Sequence, residues 1–347
     1  MQYQCKVQES ERIGLENQYK FCYYQRMNSI IEQLNASGAS VLAGEMMNKH
    51  TNFRIGGPAD YYARVTNVEQ LKALIAKANE LGIKYTVLGG GSNVLVSDSG
   101  VRGLVIQIAM RDVKVEGNRL IAGAGAPNTA VSRQASSAGL SGLEWAVTVP
   151  GTVGGMVYGN AGCYGSETKD FVESVTALCD GEIKELKKDE LDFSYRHSIF
   201  KEHKDWVIFQ VSFLLSHGDK KEIEEKINAL LAKRMASQPF DSSSAGCMFK
   251  NFEFSNEKDI ARLKEKFIVP EEFISKKNIP AGWLIENLGL KGETIGSAQI
   301  SQKHGNFIVN LGNATAFDVF WLVEKVKDRA KDEFGILLQN EVQYIGF

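Results

Sequence analysis

The sequence predicts an α+β fold of two domains, and three observations lead to this prediction. The chain has 347 residues, more than one compact domain usually contains. Short strand-like segments alternate with helices as far as about residue 217, and glycines cluster between them. Beyond that residue the pattern becomes mainly helical. We therefore expect a larger domain over residues 49–217 and a smaller α+β domain over residues 218–347.

The elements of the larger domain follow from hydrophobic periodicity and capping residues. Asp60–Val65 is typical of a strand, and Asn67 can cap the next helix with Gln70 at the capping-box position. The remaining elements are predicted in this order: strands at Tyr85–Leu88, Val94–Val96, Leu104–Ile108 and Leu120–Ala122, a helix at Thr129–Ala138, and strands at Val175–Leu178 and Val207–Leu215.

Three helices and a last strand are predicted for the smaller domain. Ile223, Ile227, Leu230 and Leu231 share one face of the first helix, and the second covers Ile260–Phe267. Thr315 caps the third helix and Gly335 ends it. The last strand carries Glu341. Ahead of both domains, residues 1–26 are polar and aperiodic, so we expect a poorly ordered appendage followed by a helical lead-in over residues 27–48.

Composition and charge restrict the possible partners. A net charge of −2 provides no positive field for nucleic acid or for an anionic membrane. No apolar run approaches the roughly 18 residues needed to cross a bilayer, and residues 1–14 lack the apolar region of a secretory signal. The five cysteines and five histidines show neither metal-site nor disulfide spacing, so we predict no metal. The charge balance favours a small-molecule ligand or a protein partner. We expect a monomeric cytoplasmic protein.

Two glycine-rich loops predict where a small molecule binds. Gly89–Asn93 lies between two strands, and its backbone N–H groups can converge on a pyrophosphate, although alone it could equally be a tight turn. Val149–Gly155 adds three glycines and a hydroxyl group, and Asn160–Gly165 follows. Neither loop matches the Rossmann or the P-loop pattern. Together they favour a bulky dinucleotide held between two subdomains.

A series of motifs resembles the UDP-N-acetylenolpyruvoylglucosamine reductase (MurB) family, and the motifs occur in the family's order over nearly the whole chain beyond residue 50. Those resembling its FAD-binding motifs are Thr51–Gly57, Leu88–Val94 and Val149–Gly165, and those resembling its later segments are Tyr195–Phe200, Ser244–Asn251, Ala281–Glu286 and Asn340–Val342. The resemblance implies a vanillyl-alcohol oxidase/PCMH-type FAD-binding domain of two subdomains followed by a substrate-binding domain. It also implies that NADPH reduces noncovalent FAD, and that UDP-N-acetylglucosamine enolpyruvate is then reduced to UDP-N-acetylmuramate for peptidoglycan synthesis.

The resemblance assigns three catalytic residues. Taken alone, Arg196 would be a surface ion-pairing residue, Glu341 a solvated strand residue and Cys247 a small core residue. The family match implies instead that Arg196 and Glu341 stabilise an enolic intermediate and that Cys247 protonates the adjacent carbon.

The same resemblance assigns residues to the two ligands. The predicted cofactor-binding residues are Asn52, Arg54, Gly89, Gly90, Gly91, Ser92, Asn93, Pro150, Gly151, Thr152, Gly154, Gly155, Asn160 and Gly162. The predicted substrate-binding residues are Tyr195, Asn251, His304 and Arg234. From the residues alone, a role in loop packing is as plausible as substrate binding for Asn251 and His304. An ion pair at the end of a helix is equally plausible for Arg234.

Three departures from the family pattern bear on function. Cys247 stands where the family usually has serine, and Ser237 stands where it often has a lysine, which leaves one phosphate contact open. No tyrosine occurs between Tyr195 and Tyr344, where type I enzymes carry a tyrosine that covers the substrate, so the chain resembles type II.

Two other functions are compatible with parts of the sequence. An oxidase or dehydrogenase of the same flavin fold, acting on an alcohol or sugar, would need a histidine or cysteine in the glycine loops for covalent flavin, and only Cys163 is available. A non-catalytic UDP-sugar sensor or regulatory flavin module would be expected to lack a catalytic residue, whereas all three are present. The sequence therefore favours the reductase.

Overall fold

The computed structural model describes residue 25 and residues 27–347. The expected appendage over residues 1–26 thus lies, apart from Gln25, outside the described residues. The helices are α1 (residues 27–35), α2 (Val68–Glu80), α3 (Asn128–Ser137), α4 (Val153–Tyr158), α5 (Lys220–Ser237), α6 (Ala261–Lys266), α7 (Glu271–Ser275), α8 (Ala281–Asn287) and α9 (Ala316–Phe334). Within this part of the chain, no helix is long and apolar enough to cross a membrane.

The described residues form 21 strands, none longer than eight residues. They are β1 (Val41–Met46), β2 (Pro58–Val65), β3 (Tyr85–Leu88), β4 (Val94–Val96), β5 (Val101–Ile108), β6 (Val113–Glu116), β7 (Arg119–Gly123), β8 (Leu140–Ser141), β9 (Gly162–Cys163), β10 (Ser166–Glu167), β11 (Val172–Cys179), β12 (Glu182–Lys187), β13 (Val207–Leu214), β14 (Ser216–His217), β15 (Ser243–Cys247), β16 (Phe252–Glu253), β17 (Asn278–Ile279), β18 (Thr294–Ile295), β19 (Ala298–Ile300), β20 (Phe307–Asn310) and β21 (Gln343–Ile345).

Two sheets divide the larger domain into two subdomains. One has the order β1-β2-β5-β3, in which β2, β5 and β3 run parallel, and the other is antiparallel with the order β12-β11-β13-β7-β6. The smaller domain contains an antiparallel sheet of order β15-β20-β19-β18 with α9 packed on it. The predicted α+β class is confirmed.

The helix ends follow the capping residues in the sequence. Asn67 Oδ1 accepts the Gln70 N–H at 2.9 Å, as predicted, but the Gln70 side chain accepts from the Thr66 N–H instead of returning to Asn67. Thr315 and Asp318 form a complete capping box at the start of α9. Gly335 ends α9 with φ of 72°, as expected of a C-terminal glycine.

Two predictions about the chain ends need correction. The expected helical lead-in over residues 27–48 is α-helical only over residues 27–35, and Val41–Met46 forms β1, because its residues pair with β2 at the edge of the sheet. Glu341 does not lie in the last strand, which begins at Gln343. It lies just before that strand, in the segment connecting the two domains.

Helix α5, which the sequence assigned to the smaller domain, packs on the larger one. Its buried residues Ile223 and Ile227 contact Val147, and Lys226 lies 3.5 Å from the buried carboxylate of Glu144. We therefore propose that the domain boundary lies after Ser237 rather than at residue 217.

Candidate active site

The two glycine loops lie against each other and form one wall of the site. A Cβ at Gly90 would lie 2.9 Å from Gly151 Cα, too close for any side chain. Gly91 has φ of 64°, and a Cβ there would lie 2.0 Å from the carbonyl oxygen of His50. Ser92 Oγ also donates to the carbonyl oxygen of Pro150 at 3.1 Å. The sequence therefore needs glycine at these positions to bring the loops together.

This wall presents hydrogen-bond donors without partners. The N–H groups of Gly90, Gly91 and Ser92 find no acceptor among the described residues, and the Thr152 hydroxyl is buried there without a partner. Such convergent donors suit the oxygens of a diphosphate. The nearby side chains of Asn52 and Arg54 are exposed, and the Asn52 N–H fixes the loop by donating to Gly91 O at 2.9 Å. These residues fit the FAD that the sequence predicts.

The other predicted cofactor residues differ in what they can offer. Gly154 and Gly155 lie in the first turn of α4, and the Gly162 carbonyl oxygen accepts from Arg196 Nη2 at 3.4 Å. Asn160 is placed differently from the expectation. Its side chain is fully buried and is engaged by Glu167, Ser194 and Lys169, so that it braces the loop instead of facing a cofactor.

Arg196 stands at the tip of a tight turn. Backbone hydrogen bonds of 3.3 and 3.1 Å join Ser194 and His197 in both directions, which closes the turn around Tyr195 and Arg196. Arg196 has φ of 56°, a left-handed conformation that costs a non-glycine residue roughly 1–2 kcal/mol. Its guanidinium carbon lies 5.2 Å from the centre of the Tyr195 ring.

Arg196 and Glu341 meet across the two domains. Arg196 Nε lies 2.8 Å from Glu341 Oε1, although the N–H is not directed at the oxygen, so this is an ion pair rather than an aligned hydrogen bond. Burial raises the pKa of Glu341, and the positive charges of Arg196, Lys201 and Lys250 oppose the rise. Burial alone would lower the pKa of Arg196. The charge of Glu341, together with smaller contributions, outweighs the effect of burial, so the pKa of Arg196 is raised. The guanidinium therefore remains charged.

Cys247 is the last residue of β15, and the pairing of β15 with β20 shifts in register between Ser244 and Cys247. Burial first, and then the charge of Glu341, raise the pKa of the Cys247 thiol to about 12. The chain just after it is fixed by Asn306, whose carbonyl oxygen accepts the Met248 N–H at 2.8 Å and whose Oδ1 accepts the Phe249 N–H at 2.9 Å. Cys247 is therefore a protonated thiol at neutral pH.

A cleft of about 420 Å³ opens beside these groups. Tyr195, Arg196 and Asn251 line it together with residues 162, 163, 165–167, 169 and 170. The Tyr195 hydroxyl accepts the Asn251 N–H at 3.2 Å, whereas the Asn251 side-chain amide is bonded to Asn278 and to the Ala281 N–H. Of the predicted substrate residues, the structure thus places two in this cleft.

Arg234 and His304 lie outside that lining, but the charge of Arg234 acts on both Cys247 and His304. Arg234 Nε is buried without a hydrogen-bond partner in the described chain, and the Arg234 charge opposes the rise in the pKa of Cys247. Burial, together with Lys291 and Arg234, lowers the pKa of His304, so its imidazole is neutral and its Nδ1 accepts the Asn306 N–H at 3.2 Å. Ser237, which stands where the family often has a lysine, bonds within α5, where its Oγ donates to the carbonyl oxygen of Lys233 at 3.0 Å.

The sequence did not identify Lys201 and Lys250, two cations that act on Glu341. Lys201 Nζ donates to the carbonyl oxygen of Arg196 at 2.6 Å. Neither lysine could have been distinguished from a solvated surface lysine by its neighbours in the sequence, because both reach Glu341 only through folding.

Comparisons with known proteins agree with this geometry. An FAD binding domain model matches residues 59–187, and a model of the C-terminal domain of UDP-N-acetylenolpyruvoylglucosamine reductase matches residues 238–345. The reductase of Agathobacter rectalis is 41% identical over 335 residues, covering 92% of this chain and 98% of that protein. That of Clostridium botulinum is 38% identical over 332 residues, covering 95% and 98%.

A solved structure is also similar over most of the chain. The crystal structure of UDP-N-acetylenolpyruvylglucosamine reductase (MurB) from Thermus caldophilus has a TM-score of 0.70 at 33% identity, and the match covers 88% of this chain and 98% of that one. These findings confirm the predicted flavoprotein fold, the noncovalent FAD, the use of NADPH and the reductase activity, and they support the oxidase less. The chain belongs to the UDP-N-acetylenolpyruvoylglucosamine reductase family.

Proposed function

We propose that this chain reduces UDP-N-acetylglucosamine enolpyruvate in the cleft between its two domains, with Cys247 as proton donor and Arg196 and Glu341 as the groups that stabilise the enolate. One observation carries the proposal. Arg196 Nε and Glu341 Oε1, which belong to different domains, lie 2.8 Å apart, and both charges act on the Cys247 thiol.

The cofactor is held by the glycine-loop wall. The unpaired N–H groups of Gly90, Gly91 and Ser92 bind its diphosphate together with the Thr152 hydroxyl. The chemistry that FAD supplies when bound is hydride transfer from NADPH to the enol ether. The protein therefore has to contribute position, electrostatic stabilisation and one proton.

Arg196 and Glu341 act on the substrate's carboxylate end. Hydride addition at the β-carbon puts negative charge on the α-carbon and, by conjugation, on the carboxylate oxygens. The charged guanidinium of Arg196 stabilises that charge, and more strongly in a half-buried cleft than in water. Glu341 is a carboxylate paired with Arg196, and because burial raises its pKa it takes up a proton from solvent more readily than an exposed carboxylate and can then share that proton with the enolate oxygen.

Cys247 completes the reaction. Its S–H bond breaks as a C–H bond forms at the α-carbon, and the thiolate that remains regains a proton from solvent. A proton donor has to hold its proton until the enolate forms, and a pKa of about 12 ensures this at neutral pH.

Further along the cleft we propose that Arg234 binds the diphosphate of the UDP-sugar. A buried guanidinium nitrogen without a partner is costly unless a ligand satisfies it. We also propose that the enzyme is a monomer in the cytoplasm, where NADPH is the general reductant.

The role of Cys247 can be tested with two variants of nearly equal size. In Cys247→Ala we expect NADPH to reduce the flavin at the wild-type rate, while product formation falls about 100-fold or more because the proton donor is missing. Cys247→Ser should retain much of the activity. Stopped-flow absorbance separates the two half-reactions, and an alanine variant that forms product at the wild-type rate would show that Cys247 is only a packing residue.

A further inference from the structure

We propose that Lys201 is a positioning residue for the reaction, whose ammonium group holds the backbone of Arg196 in the conformation that places the guanidinium beside Glu341. The inference rests on the role of Arg196 proposed above. Its central observation is the hydrogen bond from Lys201 Nζ to the Arg196 carbonyl oxygen, at 2.6 Å. A bond donated by an ammonium group is stronger than one between neutral groups.

Arg196 needs such a restraint because of its backbone. With φ of 56° it lies in a region that non-glycine residues rarely occupy, and it would relax toward the usual helical or extended conformations unless it were held. The two backbone bonds of the turn join Ser194 to His197 and leave the Arg196 carbonyl out. Lys201 supplies the bond to that carbonyl.

The chain is folded so that Lys201 returns to Arg196. Ser198 is fully buried, and its Oγ donates to the carbonyl oxygen of Tyr158 at 2.8 Å. A short 3-10 turn follows, closed by the bond from the Lys201 N–H to Ser198 O at 2.9 Å. The Lys201 ammonium then lies 5.7 Å from the centre of the Tyr158 ring, beside the turn that carries Tyr195 and Arg196.

The Glu341 carboxylate acts on the charge of Lys201 without contacting it. In the described part of the chain, no carboxylate oxygen lies within 4.0 Å of its Nζ. Burial first, and then the like charges of Lys250 and Arg196, lower its pKa, while the charge of Glu341 opposes the fall. A half-buried cation without a carboxylate in contact with it costs stability. The carboxylate that does act on Lys201 is that of Glu341 in the proposed active site, which points to the reaction rather than to the fold.

Three variants test the proposal in the FAD-loaded enzyme. Lys201→Met removes the ammonium group at similar length, Lys201→Arg restores a cationic donor, and Lys204→Met is the control because Lys204 is an exposed lysine in the same loop. We expect Lys201→Met to keep its flavin and its reduction by NADPH, while kcat for the enolpyruvyl substrate falls about 100-fold with little change in KM, as expected for a misplaced catalytic group. The arginine variant should recover most of the rate, and Lys204→Met should match the wild type.

A parallel measurement on Arg196→Lys separates this inference from the proposed function. If Arg196→Lys is slow while Lys201→Met is as fast as the wild type, Lys201 does not position Arg196 and the inference is wrong. If Arg196→Lys itself is as fast as the wild type, the proposed role of Arg196 fails first. A methionine variant that loses its flavin or its fold would also contradict the inference, because Lys201 would then be a structural residue.

Discussion

At the scale of single residues, the sequence predicted which groups come together but not their chemical state. Arg196, Cys247 and Glu341 were predicted from short motifs and do come together. A cysteine has a reference pKa of about 8.5, which would make Cys247 an easily ionised thiol. The structure raises that pKa to about 12, since burial and Glu341 disfavour the thiolate. Burial of this kind depends on distant segments and cannot be inferred from the neighbouring residues.

The raised pKa predicts slow alkylation of Cys247. Because the folded protein holds the proton more tightly, the reactive thiolate is scarce at every pH below about 12. At pH 8 we expect iodoacetamide to modify Cys247 about a thousandfold more slowly than an unperturbed thiol, and the rate to rise about tenfold per pH unit. Mass spectrometry of the Cys247 peptide measures this rate while excluding the other cysteines. Modification at pH 8 as fast as in the urea-unfolded protein would contradict the prediction.

At the scale of elements, the sequence predicts a helix end correctly where the capping contacts lie within a few residues of it. Asn67 and Thr315 begin their helices and Gly335 ends one, as predicted, because each cap bonds within a few residues. Lys201 could not be predicted, because its bond to Arg196 exists only after the turn has closed. The glycine loops are an intermediate case. The sequence shows where the glycines are, but not which atoms a side chain at each of these positions would collide with.

A matched pair of glycine substitutions separates backbone strain from loop contact. Gly91 and Gly117 have φ of 64° and 61°, so alanine costs roughly 1–2 kcal/mol at either position. A Cβ at Gly91 would also lie 2.0 Å from the His50 carbonyl oxygen, whereas nothing lies within 4 Å of one at Gly117. We expect Gly91→Ala to be purified with little flavin and Gly117→Ala to retain it in full. Flavin content per protein and fluorescence titration with FAD measure this, and equal affinities would refute a binding role for the loop geometry.

At the scale of the whole molecule, the chain end ties the two domains together. β21 pairs in parallel with β4, which directly follows the first glycine loop. Asn93 in that loop donates from Nδ2 to Glu341 O, a contact between residues 248 positions apart, and accepts the Gln343 N–H at 3.0 Å. The first glycine loop and Glu341 are thus held by one segment. A sequence pattern predicts that a last strand exists, but not which strand it pairs with over such a distance.

This arrangement predicts that the last residues are needed for flavin binding as well as for stability. A chain ending at Val342 loses β21, including the bonds from Gln343 N–H to Asn93 O and from Ser97 N–H to Ile345 O. At about 1 kcal/mol for each backbone bond, and with Tyr344 and Ile345 no longer packed, we expect a clear fall in the urea midpoint. FAD affinity should fall as well, because Asn93 loses its bond to Gln343. The rate at which the enolpyruvyl substrate reoxidises the flavin should also fall, because Glu341 is then fixed on one side only. A chain ending at Gly346 is the control, since it removes only the exposed Phe347. If both shortened chains bind FAD as tightly as the full chain, the terminal strand contributes to stability alone and does not hold the site together.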